Sequence, residues 1–92
     1  MGDRTDKVYV VMVVTELTAI NEDHACYNTY VEVSGVAMSV ESANKRIHSF
    51  TFDNAELSHE GETAQGTIYR HFDIRDEPDN TIAVYVDIVD VI

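Results

Sequence analysis

The sequence is poor in the residues that build disulfide frameworks, zinc sites and cationic surfaces. Its only cysteine is Cys26, which excludes an intrachain disulfide and a cysteine-rich zinc site. Six basic residues stand against seventeen acidic ones, for a formal net charge of -11. Nucleic acids and anionic membranes attract proteins that carry a positive field. We therefore expect no direct nucleic-acid binding and no membrane binding.

Long apolar runs are also missing. The longest, Val8–Val14, has seven residues, against the ~20 that a membrane-spanning helix needs. Residues 1–7 are mostly polar or charged, and no small-residue cleavage site follows the apolar run, so the sequence does not predict a secretory signal. We expect a cytoplasmic protein with Cys26 as a free thiol. Adaptation to a saline cytoplasm is an alternative explanation of the acidity that involves no partner.

The chain does contain enough apolar residues for one core. Ninety-two residues, 45% of them hydrophobic, predict a single domain over residues 1–92. The β-branched run Val8–Val14 favours a strand, and because both of its faces are apolar we expect it to be covered on both sides. Further strands are predicted at Tyr27–Val33, Phe50–Leu57, Ile68–Ile74 and Thr81–Asp90, with a turn at Asn21–His24 and a loop at Ser58–Gly66.

One segment has helical spacing. Apolar residues recur at three- and four-residue intervals at Val36, Val40, Ala43, Ile47 and Phe50. Ser39 precedes this run as an N-cap, which predicts a helix over Val40–Ser49. The alternation of Phe50 and Phe52 gives a competing prediction, a strand over Arg46–Asp53.

These elements predict an α+β fold, β-β-α-β-β-β, with a mainly antiparallel sheet of about five strands and one short helix. An all-β half-barrel is the alternative. A ten-residue helix is only ~15 Å long, yet the first and last strands have apolar residues on both faces. A homodimer that buries the second sheet face is the simplest source of the missing cover.

The run Gly35–Ile47 follows a predicted hairpin and reads G-V-A-M-S-V-E-S-A-N-K-R-I. It resembles the G-V-x-x-S-x-x-x-A-x-x-x-I junction of many small uncharacterised proteins from phages, plasmids and integron gene cassettes. In those proteins the serine caps a short helix, and the alanine and isoleucine pack it on the sheet. This chain has Ala37 where an aromatic residue is usual. The resemblance implies a fold and a mobile-element origin. It assigns no catalytic residues to this chain.

Histidines suggest two candidate sites. His24 and Cys26, with Asp23, offer three types of metal ligand, but no second half such as C-x-x-C accompanies them, so we expect no metal and no cofactor. Tyr69, His71 and Asp73 alternate along one predicted strand face. Such a row is either a ligand face or the solvated side of an amphipathic strand.

Acidic residues concentrate in the second half of the chain. Residues 47–92 hold ten acidic residues against Arg70 and Arg75. A possible acidic binding surface comprises Glu56, Glu60, Glu62, Asp73, Asp76, Glu77 and Asp79. Carboxylates at alternate strand positions imitate a row of phosphates, which suits a basic protein partner. The alternative is a surface that only keeps the protein soluble.

Three functional hypotheses follow. The first is a non-enzymatic accessory protein of a mobile element that acts by protein–protein binding as a homodimer, since no catalytic motif is found. The second is a nucleic-acid mimic that inhibits a DNA- or RNA-binding defence enzyme. The third is a half-barrel that binds a small molecule at Tyr69, His71 and Asp73.

Overall fold

The computed structural model describes residues 6–20, 25–77 and 79–91, apart from the side chains of residues 19, 20 and 25–27. The elements are β1 (Asp6–Ile20), β2 (Ala25–Ala37), α1 (Val40–His48), β3 (Ala55–Glu62), β4 (Ile68–Ile74) and β5 (Thr81–Val91). The predicted α+β class and element order are confirmed, and the all-β alternative is wrong because α1 is a helix. The predicted turn at Asn21–His24 lies outside the described residues.

The five strands form one antiparallel sheet in the order β2-β1-β5-β4-β3. Helix α1 connects the two edge strands β2 and β3, so it must cross the sheet, and it does so on one face. In the described part of the chain no helix is long and apolar enough to cross a membrane.

The local sequence explains where α1 begins and which side it buries. The Ser39 side chain accepts a hydrogen bond from the Ser42 backbone N–H at 3.1 Å, as an N-cap does. Ala43 and Ile47, one turn apart, are fully buried against the sheet. The predicted helix is confirmed and ends at His48. The competing prediction of a strand over Arg46–Asp53 is wrong, because residues 46–48 belong to α1 and the buried residues Ala43 and Ile47 are four apart, as on one face of a helix.

The core lies between α1 and the facing side of the sheet. Val11 of β1 and Val84 of β5 have no exposed surface, and Phe72 and Ile82 are 6% exposed. Phe52, in the connection from α1 to β3, packs edge-on against Phe72 with ring centroids 4.9 Å apart. The helix, the connection and the two central strands therefore share one apolar layer.

The prediction for β3 is wrong in position. A strand was expected over Phe50–Leu57 with a loop over Ser58–Gly66, yet β3 runs over Ala55–Glu62. The phenylalanines before it pack into the core from the α1–β3 connection. The polar residues of Ser58–Glu62 form a strand because β3 is an edge strand, held by backbone pairing to β4 with its side chains in solvent.

Asn44 fixes the turn between β3 and β4 beneath the helix. Its Nδ2 donates to the Gly66 carbonyl at 2.9 Å, and its Oδ1 accepts from the Ile68 backbone N–H at 2.9 Å. Beside it, Thr67 is 2% exposed and its hydroxyl lies 2.7 Å from that of Thr63. One amide side chain thus joins the helix to the start of β4.

We expect Asn44→Ala to destabilise the fold by about 1–3 kcal/mol, because it leaves the part-buried Ile68 N–H without its acceptor. Urea unfolding monitored by circular dichroism measures the change. Lys45→Ala, at the next and exposed helix position, is the matched control and should change stability by less than ~0.5 kcal/mol. Equal losses in the two variants would contradict the role assigned to Asn44.

Candidate functional site

The sheet face opposite α1 is largely apolar, and none of the described residues outside the sheet covers it. We call it the open face. Register places its members directly opposite one another across the strands. Its apolar and aromatic members include, from β2, β1, β5 and β4 in turn, Val31, Val33, Val36, Val10, Met12, Val14, Ala83, Tyr85, Val89, Tyr69 and His71. The acidic residues Glu16, Asp87, Asp73 and Glu56 lie on the same face.

A β-bulge extends the apolar part of this face. Val11 pairs with Gly35 and Met12 with Val33, so Ser34 is the extra residue in β2. The bulge turns Val36 to the same face as Val33, whereas strict alternation would turn it to the helix side. The Arg46 guanidinium donates to the Ser34 carbonyl at 2.8 Å and to its hydroxyl at 3.2 Å, which stabilises the bulge. It lies over Gly35, where a Cβ would come within 2.7 Å of Arg46 Cζ.

A second bulge builds an aromatic cluster. Leu57 pairs with Phe72 and His59 with His71, so Ser58 is the extra residue in β3. The His59 and His71 rings stack with centroids 4.3 Å apart and planes 15° from parallel. Tyr69 meets His71 edge-on at 5.9 Å. Its ring lies over Gly61, where a Cβ would collide with the Tyr69 hydroxyl.

A cleft of about 540 Å³ opens beside this cluster. β4 and β5 pair only from Arg70–Val84 to Asp73–Thr81, so the strands separate beyond Arg70. Apolar side chains line the gap from Val14, Ile68, Ala83 and Val86. The rest of the cleft is lined by the polar and aromatic side chains of Glu16, Thr63, Tyr69, His71 and Tyr85. Ile68 and Val86 also pack against the core, so the cleft reaches from the open face toward the core.

The charges around His71 come from three strands. Burial lowers the pKa of His71 below its ordinary value of 6.5, and the positive charge of His59 on β3 lowers it further. Glu16 on β1 and Asp73 on β4 act in the opposite direction. Because the lowering effects are larger, the pKa of His71 is below its ordinary value and the neutral form is favoured. Glu16 is the acidic residue that lines the cleft.

The structure brings together two of the three residues predicted as a ligand face. Tyr69 and His71 line the cleft, whereas Asp73 lies exposed opposite Thr81, where β4 and β5 are paired. Sequence analysis missed Glu16 and Tyr85. Glu16 lies beyond the predicted strand Val8–Val14 and Tyr85 lies on the last predicted strand, and nothing in the sequence states that β1 and β5 lie side by side.

The seven predicted acidic residues are all exposed but do not share one face. Glu56 and Asp73 lie opposite each other on the open face, while Glu60 and Glu62 lie on the helix side. Glu60 pairs with Arg70 at 2.8 Å, and Glu56 pairs with Arg75 at 3.2 Å. Asp76, Glu77 and Asp79 follow β4 in the turn to β5.

The predicted metal ligands fall largely outside the described residues. Within residues 6–20, 25–77 and 79–91, no group of three His, Cys, Asp or Glu side chains could hold a metal ion. Asp23, His24 and the Cys26 side chain lie outside the described residues, so the predicted absence of a metal there stays a prediction. The stacked rings of His59 and His71 present flat faces to each other, which is not how two imidazoles share a metal ion.

We expect the His71→Gln variant to lose less stability than the unmodified protein between pH 8 and pH 5.5. As the pH falls below 6.5, an unfolded histidine binds a proton that folded His71 resists, so the native state loses stability down to the lowered pKa. Urea unfolding at both pH values measures this, with the exposed His48→Gln as control. An unchanged pH dependence in His71→Gln would contradict it.

Comparison with known proteins gives no match: no family model, no curated protein and no solved structure is significantly similar to this chain.

Proposed function

We propose that this is a non-enzymatic protein that acts by binding other proteins, and that it does so as a homodimer joined through the aliphatic side of the open face, on β1 and β2. The observation that carries the proposal is a block of six uncharged residues on β1 and β2. Val31, Val33 and Val36 are 59%, 56% and 58% exposed, and register sets them opposite Val14, Met12 and Val10. A contiguous exposed apolar patch on a protein marks an interaction surface.

The total surface supports a second copy as the occupant. The chain exposes 6642 Å², whereas a compact monomer of this mass exposes about 5,400 Å². The excess of about 1,200 Å² is more than the ~800 Å² that each partner buries in a standard interface. The radius of gyration, 15.9 Å, exceeds the ~12 Å of a compact domain of this length because the molecule is elongated, with extents of 63 × 24 × 21 Å.

The distribution of charge also supports contact between copies through the six-residue block. Two copies with a net charge of -11 each repel one another wherever their acidic surfaces meet. The six-residue block on β1 and β2 carries no charge itself. Asp87 lies opposite Val10 and Glu16 follows Val14 on the same face of β1, so stacking the block on its own copy keeps these carboxylates at its border. Acidic side chains that stay exposed at that border favour a basic protein as the further partner.

A non-enzymatic role is supported by the sequence, which contains no nucleophile elbow and no glycine-rich phosphate loop. The nucleic-acid mimic has less support. Its seven carboxylates are divided between two faces and a turn, and two of them are paired with arginines.

We expect the unmodified protein to sediment at twice the mass of one chain, and V31D/V33D to sediment as a folded monomer. Both valines are more than half exposed, so aspartate is tolerated in the single chain but would bury a charge in the dimer. Sedimentation equilibrium gives the mass, and circular dichroism shows that the variant is folded.

The matched control is Tyr30→Asp. Tyr30 lies on the same strand and is 57% exposed, but it points to the other face of β2. This variant should remain dimeric. Raising sodium chloride from 50 to 500 mM should leave the dimer intact or strengthen it, because salt screens the repulsion between acidic copies. A monomeric unmodified protein, or dimerisation lost equally in both variants, would contradict the proposed interface.

A further inference from the structure

We propose that the cleft between β4 and β5 binds a small organic cation with an apolar body. Its volume of about 540 Å³ falls within the ~300–1,000 Å³ of small-molecule sites. Four aliphatic side chains line it together with the rings of Tyr69 and Tyr85, so most of a ligand would contact apolar surface. Every residue that lines the site belongs to one chain, and Val14 is the one lining residue that also belongs to the six-residue block of the proposed dimer.

The charge of the ligand follows from the lining. Glu16 supplies the carboxylate, and no Lys or Arg among the described residues lines the cleft. Arg70, the nearest basic residue along β4, pairs with Glu60 on the helix side of the sheet. An anionic ligand would meet repulsion here, while a cation would meet a carboxylate in a protein whose net charge is -11.

The aromatic groups favour an organic cation over a metal ion. Tyr69 and Tyr85 reach the cleft from opposite sides of the gap, one on β4 and one on β5. Tyrosine rings attract alkylammonium and aromatic cations through their electron-rich faces. His71, whose pKa is lowered by burial, favours its neutral form and adds a hydrogen-bonding group to the lining. A metal ion would need three or more ligand side chains, and the described residues offer no such group.

The ring of Tyr69 is held for this role by a neighbouring glycine. Gly61 of β3 pairs with Tyr69 of β4, and the Tyr69 ring occupies the space that a Cβ on residue 61 would need. Asn44 holds the Ile68 backbone at the start of β4, which keeps the adjoining wall of the cleft in place. The walls are therefore fixed by contacts outside the cleft.

The test uses berberine, a flat aromatic cation whose fluorescence rises in apolar sites, and 1-anilinonaphthalene-8-sulfonate as the anionic probe. We expect saturable binding of berberine and no saturable binding of the anion. Glu16→Gln and Tyr85→Leu should each weaken berberine binding by about fivefold or more, the fold-change that ~1 kcal/mol of ion-pair or cation–π attraction represents. The leucine keeps the apolar surface and removes the aromatic ring.

Glu41→Gln is the matched control, since it removes the same charge from the exposed face of α1, away from the cleft. It should leave berberine binding unchanged. Equal weakening by Glu41→Gln would reduce the effect to overall charge and overturn the proposal, as would equal affinity for the two probes. The V31D/V33D variant should still bind berberine saturably, because every residue of the cleft comes from one chain. Loss of binding there would overturn the single-chain site, whereas a monomeric unmodified protein that binds berberine would overturn only the dimer.

Discussion

One short helix has to cover a five-stranded sheet, and most of the molecule follows from that constraint. α1 has nine residues, about 14 Å of helix, and as the link between the two edge strands it crosses a single face. Ala43 and Ile47 bury themselves there with the inward residues of β1, β4 and β5. The opposite face has apolar residues of its own and receives no cover from the described part of the chain, and both proposed binding surfaces lie on it.

The two bulges decide what that open face presents. Strict alternation along β2 and β3 would place Val36 with the helix side and His59 away from His71. The extra residues Ser34 and Ser58 reverse both placements, and the first of these is held by Arg46 from the helix. The result is an uncharged aliphatic block at one side of the face and an aromatic, histidine-bearing cluster at the other. The two regions suit different occupants, a flat protein surface and a small molecule.

The cleft exists because pairing stops while the strands continue. Four residues of β4, Arg70–Asp73, pair with β5, whereas the first two, Ile68 and Tyr69, do not. Contacts of Asn44 and Thr67 hold this beginning of β4 beneath the helix. Tyr69 therefore stands apart from Tyr85 instead of pairing with it, and the space between them reaches the core. Among the described residues, Glu16 is the carboxylate that lines this space. A carboxylate beside apolar and aromatic walls attracts organic cations, which a fully solvated strand face does not retain.

The sequence by itself determined the class of fold, the element order and the helix. Period-two and period-3.6 apolar spacing, with Ser39 as a cap, are local signals that the chain expresses wherever it folds. It also determined that Val8–Val14 has two apolar faces. Only the tertiary structure decided that β1 lies between β2 and β5, that polar Ser58–Glu62 is an edge strand, and that Glu16 and Tyr85 face Tyr69 and His71. These outcomes depend on backbone pairing between distant segments, and bulges that shift that pairing by one residue leave no periodic trace in the sequence.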